Sequence, residues 1–69
     1  MATINKSVGK KLKRLRKEKG VSQEKLAWDA GLNRGYVGFI ERGERNPSIP
    51  TLTKLAKVLK VSLDELFRK

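Results

Sequence analysis

Arg34, Arg42 and Arg45 place three guanidinium groups in and just beyond one short segment, with the polar side chains of Gln23, Asn33, Tyr36 and Asn46 around them. A guanidinium fork suits two kinds of acceptor. One is an oxyanion such as a phosphate, and the other is the O6 and N7 edge of guanine, where a bidentate contact is worth about 1–3 kcal/mol of discrimination. Covalent chemistry has no comparable set, because the 69 residues include no Cys and no His. Thiolates, imidazole bases and the usual zinc ligands are therefore absent, and no two carboxylates are spaced as an acid and base pair. The expectation is a binding protein with no catalytic residue, no metal and no cofactor.

These side chains need elements to hold them. Ser22 is a good N-cap, and a helix from about 23 to 30 follows with Leu26, Ala27 and Ala30 inward. Gly31 ends it, since the position after a helix usually needs positive φ. Asn33 can cap a second helix from Arg34 to about Arg42, with Val37 and Ile40 inward and Gly43 closing it. The early outward positions of that helix are Arg34, Gly35, Tyr36, Gly38 and Phe39. Two short helices joined by a Gly-containing turn occur as plain scaffolding and also as the helix-turn-helix, whose second helix enters the major groove of DNA. Spacing alone does not choose between them.

From Ser7 to Lys19 the pattern is helical, with Val8, Leu12 and Leu15 on one face and lysines or arginines over most of the rest. The lysines fit a solvated face singly and an electrostatic footprint as a set. Arg16 falls at the edge of the apolar stripe, where a guanidinium is tolerated only if it is paired. Residues 1 to 6 are expected to fray, with Ile4 as their only apolar anchor besides the start. Pro47 breaks the chain after the second helix of the pair. Ser48 then caps a fourth helix carrying Leu52, Leu55, Ala56 and Leu59, with Pro50 in its first turn. Ser62-Leu63-Asp64-Glu65 reads as a capping box for a short fifth helix with Leu66 and Phe67.

The stretch SQEKLAWDAGLNRGYVGFIERG, residues 22–43, resembles the lambda-repressor-like, Cro-type (XRE) helix-turn-helix family. The resemblance covers about residues 8 to 67. Its most specific pieces are Ser22-Gln23-Glu24, Leu26-Ala27 with Ala30-Gly31, and Ile40-Glu41-Arg42-Gly43; the region from Asn33 to Ser48 looks most like restriction-modification controller proteins. It implies an all-α, compact five-helix lambda-repressor-like domain over 1–69, with the helix-turn-helix at helices 2 and 3. It also implies an ion pair between Arg16 and Glu41, and a backbone contact from Gln23.

On that footing the candidates for base contact are Arg34, Gly35, Tyr36, Gly38 and Phe39, with core packing as the alternative for Tyr36 and Phe39. Gly35 and Gly38 depart from the family pattern and cost roughly 1 kcal/mol each relative to Ala. Close approach to the groove floor, or specificity carried by DNA shape, would account for them. Candidates for phosphate contact are Gln23, Asn33, Arg42, Arg45 and Asn46. Trp28 is expected to pack against a neighbouring loop, here the one holding Pro47.

Seventeen Lys and Arg against seven Asp and Glu give a net charge of +10, which calls for a polyanionic partner or an acidic membrane. No run approaches about 18 apolar residues and MATINKSVGKK has no apolar signal core, so a cytoplasmic protein is expected. The favoured partner is double-stranded DNA, read in the major groove by a transcriptional regulator. A membrane is disfavoured because Val8, Leu12 and Leu15 are needed as core; an antitoxin that also contacts a protein partner is compatible with DNA binding. One domain reads too few bases, so a homodimer on a palindromic operator is expected, with Val58, Val61, Leu63, Leu66 and Phe67 as its interface.

Overall fold

The computed structural model describes the backbone of residues 2–67 and the side chains of residues 6–67. Five helices follow one another: α1 (Ala2–Glu18), α2 (Gln23–Ala30), α3 (Arg34–Glu41), α4 (Ile49–Leu59) and α5 (Leu63–Phe67). Their boundaries follow local chemistry. The Ser22 hydroxyl accepts from Lys25 N at 3.0 Å, Ser48 from Thr51 N at 3.3 Å, and Ser62 from Glu65 N at 3.3 Å. Gly31, at φ 72°, closes α2 through Leu32 N to Ala27 O at 2.8 Å and Gly31 N to Trp28 O at 3.1 Å.

One boundary differs from expectation. α1 begins at Ala2, five residues before the helix expected from Ser7. That segment has neither Gly nor Pro to break it, and Lys6 lies against Gly43. Met1, the side chain of Ile4, and Arg68 and Lys69 are outside the described residues. At the end of α4, Lys60 takes the left-handed conformation at φ 59° although no Gly marks the stop. Its N–H and that of Val61 close the helix onto Lys57 O and Ala56 O at 3.1 and 3.0 Å. A side chain in that conformation costs about 1 kcal/mol. Lys60→Gly is therefore expected to raise the melting temperature by about 4–8 °C; an unchanged melt would show the strain to be absorbed elsewhere.

The core is drawn from every helix. Leu12, Leu26, Val37, Ile40, Leu55, Leu59 and Leu66 are almost fully buried, joined by Val8, Leu15, Ala27, Ala30, Leu52 and Ala56. α3 packs on α1 and α2, α4 on α2, and α5 on both α1 and α4. Val8, Leu12 and Leu15 are thus committed to the interior, which leaves α1 no apolar stripe for a lipid surface. No helix among the described residues is long and apolar enough to cross a membrane.

α1 reaches α3 by close backbone approach at Gly9. A Cβ there would collide with the Ile40 carbonyl oxygen and come within 2.8 Å of the Glu41 carbonyl oxygen. The last turn of α3 therefore rests directly on α1.

Candidate nucleic-acid interface

At that same contact lie two buried charges, Arg16 and Glu41, each 7% exposed. Arg16 Nε donates to Glu41 Oε2 at 2.6 Å and Nη2 to Oε1 at 3.2 Å, while Nη1 donates to the Val21 carbonyl at 2.8 Å. Glu41 Oε1 accepts a further bond from Gln23 Nε2 at 2.9 Å. The carboxylate thereby ties the end of α1, the end of α3 and the first residue of α2. Desolvation offsets much of the attraction in such a pair, so its main product is position. It fixes the Gln23 amide at the N-terminus of α2, where backbone N–H groups and the helix dipole favour an anion.

The first turn of α3 divides two shallow clefts. One, of about 540 Å³, is lined by Gly31, Leu32, Asn33, Gly35, Tyr36, Phe39 and Arg45. The other, of about 400 Å³, is lined by Glu24, Trp28, Leu32, Asn33 and Arg34. Asn33 belongs to both, at the N-cap of α3, and its side chain makes no capping bond. That leaves its amide to an external partner. Arg34 is exposed, and its Nη2 lies 3.4 Å from Glu24 Oε2.

Phe39 is a platform for cations. The Arg42 guanidinium carbon lies 5.1 Å and that of Arg45 5.6 Å from the ring centroid, so the loop after α3 folds its second arginine back over the helix. Arg42 also meets Glu44 at 3.2 Å on the exposed surface. Gly35 opens the space beside the ring, since a Cβ there would meet only Phe39 Cε2, at 3.9 Å. Asn46 is exposed further along the loop, and Pro47 is buried behind it.

Several expected placements are corrected. Gly38 does not face outward: it is buried under the Arg42 and Gln23 side chains, whose Nη1 and Oε1 lie 3.1 and 3.5 Å from where its Cβ would be. Its small size seats two phosphate candidates and does not expose groove-facing backbone. Tyr36 is half-buried and packed on the core, so only part of it can meet a ligand. Trp28 does not pack on the Pro47 loop; it is 81% exposed, in the wall of the cleft it shares with Glu24 and Arg34. Leu66, expected at an interface, is 1% exposed and completes the core. Val58, Val61 and Leu63 are partly buried against the core, and Phe67 remains 46% exposed.

Sequence reasoning missed Glu24 and Gly9. Glu24 was visible only as an outward carboxylate, and its pairing with Arg34 depends on the angle between α2 and α3. Gly9 sits among helix-forming lysines, where a mid-helix Gly is itself a signal of close approach.

The HTH_3 helix-turn-helix family model matches residues 12–66. The control protein C.MunI from Mycoplasma sp. is 46% identical over 68 residues, covering 97% of this chain and 92% of that one. Among solved structures, the restriction-modification controller protein C.AhdI from Aeromonas hydrophila aligns with TM-score 0.89 and 48% identity, over 91% of this chain and 96% of the other. SinR, the master regulator for biofilm formation, was solved in complex with DNA. It aligns with TM-score 0.84 and 44% identity, over 88% of this chain and 98% of that one.

Proposed function

The chain belongs to the HTH_3 helix-turn-helix family of DNA-binding transcriptional regulators, and we propose that it works as a homodimer on a palindromic double-stranded operator. Its place within the family is that of a restriction-modification controller acting in the cytoplasm. The near end-to-end match with C.MunI and C.AhdI supports that assignment. The observation that carries the DNA role of this site is the first turn of α3. An exposed Arg34 and a non-capping Asn33 side chain stand there, and the next turn carries the Phe39 ring with two guanidiniums over it.

In this reading α3 enters the major groove. Arg34 reads a guanine edge, the Gly35 backbone and the partly exposed Phe39 and Tyr36 lie along neighbouring bases, and Gln23, Asn33, Arg42, Arg45 and Asn46 hold phosphates. Arg34→Ala is expected to cost about 1–3 kcal/mol of affinity for a selected site and to relax preference at one base pair per half-site. Fluorescence anisotropy on selected and scrambled duplexes decides it. Equal losses on the two duplexes would make Arg34 a phosphate contact instead.

A single α3 offers too few contacts for discrimination within a genome, whereas two copies related by a two-fold axis read half-sites about 34 Å apart. The exposure of Phe67 and the incomplete burial of Val58, Val61 and Leu63 support α5 and the end of α4 as the surface that joins them. Phe67→Glu is expected to turn a micromolar dimer into a monomer in analytical ultracentrifugation with the helical content unchanged. A wild type that stays monomeric throughout, or a variant that dimerises as well, would move the interface elsewhere.

A further inference from the structure

We propose that Glu24 is a positioning residue that sets how strictly Arg34 discriminates between sequences; this rests on the reading that Arg34 contacts a base. Arg34 Nη2 lies 3.4 Å from Glu24 Oε2, with the two side chains 83% and 66% exposed. A pair so open to water adds little to folding stability. Its consequence is directional. The carboxylate comes from α2, the guanidinium from the first residue of α3, and both line a cleft whose other walls are Trp28, Leu32 and Asn33.

A guanidinium has five N–H donors in one plane. Glu24 engages Nη2, which leaves donors enough for a bidentate contact with guanine while the plane is held at one edge. An untethered Arg34 has a second choice. Its side chain can swing to the nearest phosphate, an acceptor that every sequence presents at the same place. With Glu24 in place, that swing breaks the pair and leaves the carboxylate uncompensated beside a polyanion, two like charges. Glu24 thus penalises the sequence-independent contact more than the base contact, which is specificity gained through a repulsive element.

The probes are a duplex selected from random DNA by the wild-type protein and a scrambled duplex of the same length and composition. Glu24→Ala is expected to bind the scrambled duplex more tightly and to lower the selected-to-scrambled affinity ratio about fivefold. The scrambled-duplex salt dependence should steepen by about 0.9 in log–log slope, the signature of one added phosphate contact. Asp29→Asn serves as the charge control, because Asp29 lies on the same helix but pairs with Lys25 at 3.1 Å. It should shift both duplexes together and leave the ratio unchanged.

An unchanged ratio in Glu24→Ala, or an equal fall in Asp29→Asn, would overturn the positioning role and leave only general charge. In an Arg34→Ala background, Glu24→Ala should no longer alter the ratio; a persistent effect would show that Glu24 acts without Arg34. If Arg34→Ala itself kept the wild-type ratio, base reading would fail along with the inference. If it lost discrimination while Glu24→Ala kept it, only the positioning role would fail.

Discussion

Gly9→Ala is expected to destabilise the domain by about 3 kcal/mol and to lower its melting temperature by more than 10 °C. The added methyl would strike the Ile40 carbonyl oxygen, and its next neighbours are the Glu41 carbonyl oxygen at 2.8 Å and carbon at 3.0 Å. All three are backbone atoms of the last turn of α3, so no rotamer change relieves the clash. Either α1 moves off α3 or the turn unwinds. Both outcomes disturb the carboxylate that holds Gln23, because the Glu41 backbone is struck along with that of Ile40. The intrinsic helix preference runs the other way, as Ala is favoured over Gly by roughly 1 kcal/mol in a helix interior. A variant that melts at or above the wild-type temperature would therefore show that the two helices separate freely. Thermal unfolding followed by circular dichroism is sufficient to decide it.

Gly9 also shows where the sequence stops being informative. The helices were readable because their caps and periodicity are local: Ser22, Ser48 and Ser62 each bond a backbone N–H three residues on, and Gly31 takes the left-handed position its spacing predicts. The inward faces were readable for the same reason. Every member of the Val8, Leu12, Leu15 stripe and of the Leu52, Leu55, Ala56, Leu59 stripe is buried.

Relations between elements were harder to read. Wheel position puts Gly38 on the outer side of α3, yet Gln23 arrives from α2 and Arg42 curls back from the next turn to cover it. The same limit applies to Trp28. Large apolar area usually finds a neighbour, but whether a loop reaches it depends on the path of residues 42–48, and that loop buries Pro47 without covering the indole. The end of α4 carries no local signal at all: Lys60 takes the left-handed position against its own backbone preference, and Val61 beyond it packs on the core.

The second large effect is expected at Glu41. Glu41→Leu removes both acceptors of Arg16 and leaves a guanidinium 7% exposed with only the Val21 carbonyl for company. Stranding a buried charge costs about 3–5 kcal/mol. A domain of this length has a total stability of roughly 3–10 kcal/mol at about 0.05–0.15 kcal/mol per residue, so the single variant should be largely unfolded at physiological temperature. Replacing both partners, as Arg16→Met with Glu41→Leu, exchanges the charges for apolar groups of similar volume and should restore most of the loss. The Val21 carbonyl that loses its donor is only half-buried and can take water instead. Melting temperatures should therefore rank wild type and double variant close together, with Glu41→Leu well below. Equal small shifts in all variants would mean that the pair carries no net strain when broken. DNA affinity should not follow the same order. The double variant still lacks the Oε1 acceptor that holds the Gln23 amide at 2.9 Å, so it should fold well and bind weakly. Full affinity in that variant would show that Gln23 needs no anchor, and would confine the ion pair to joining α1 and α3.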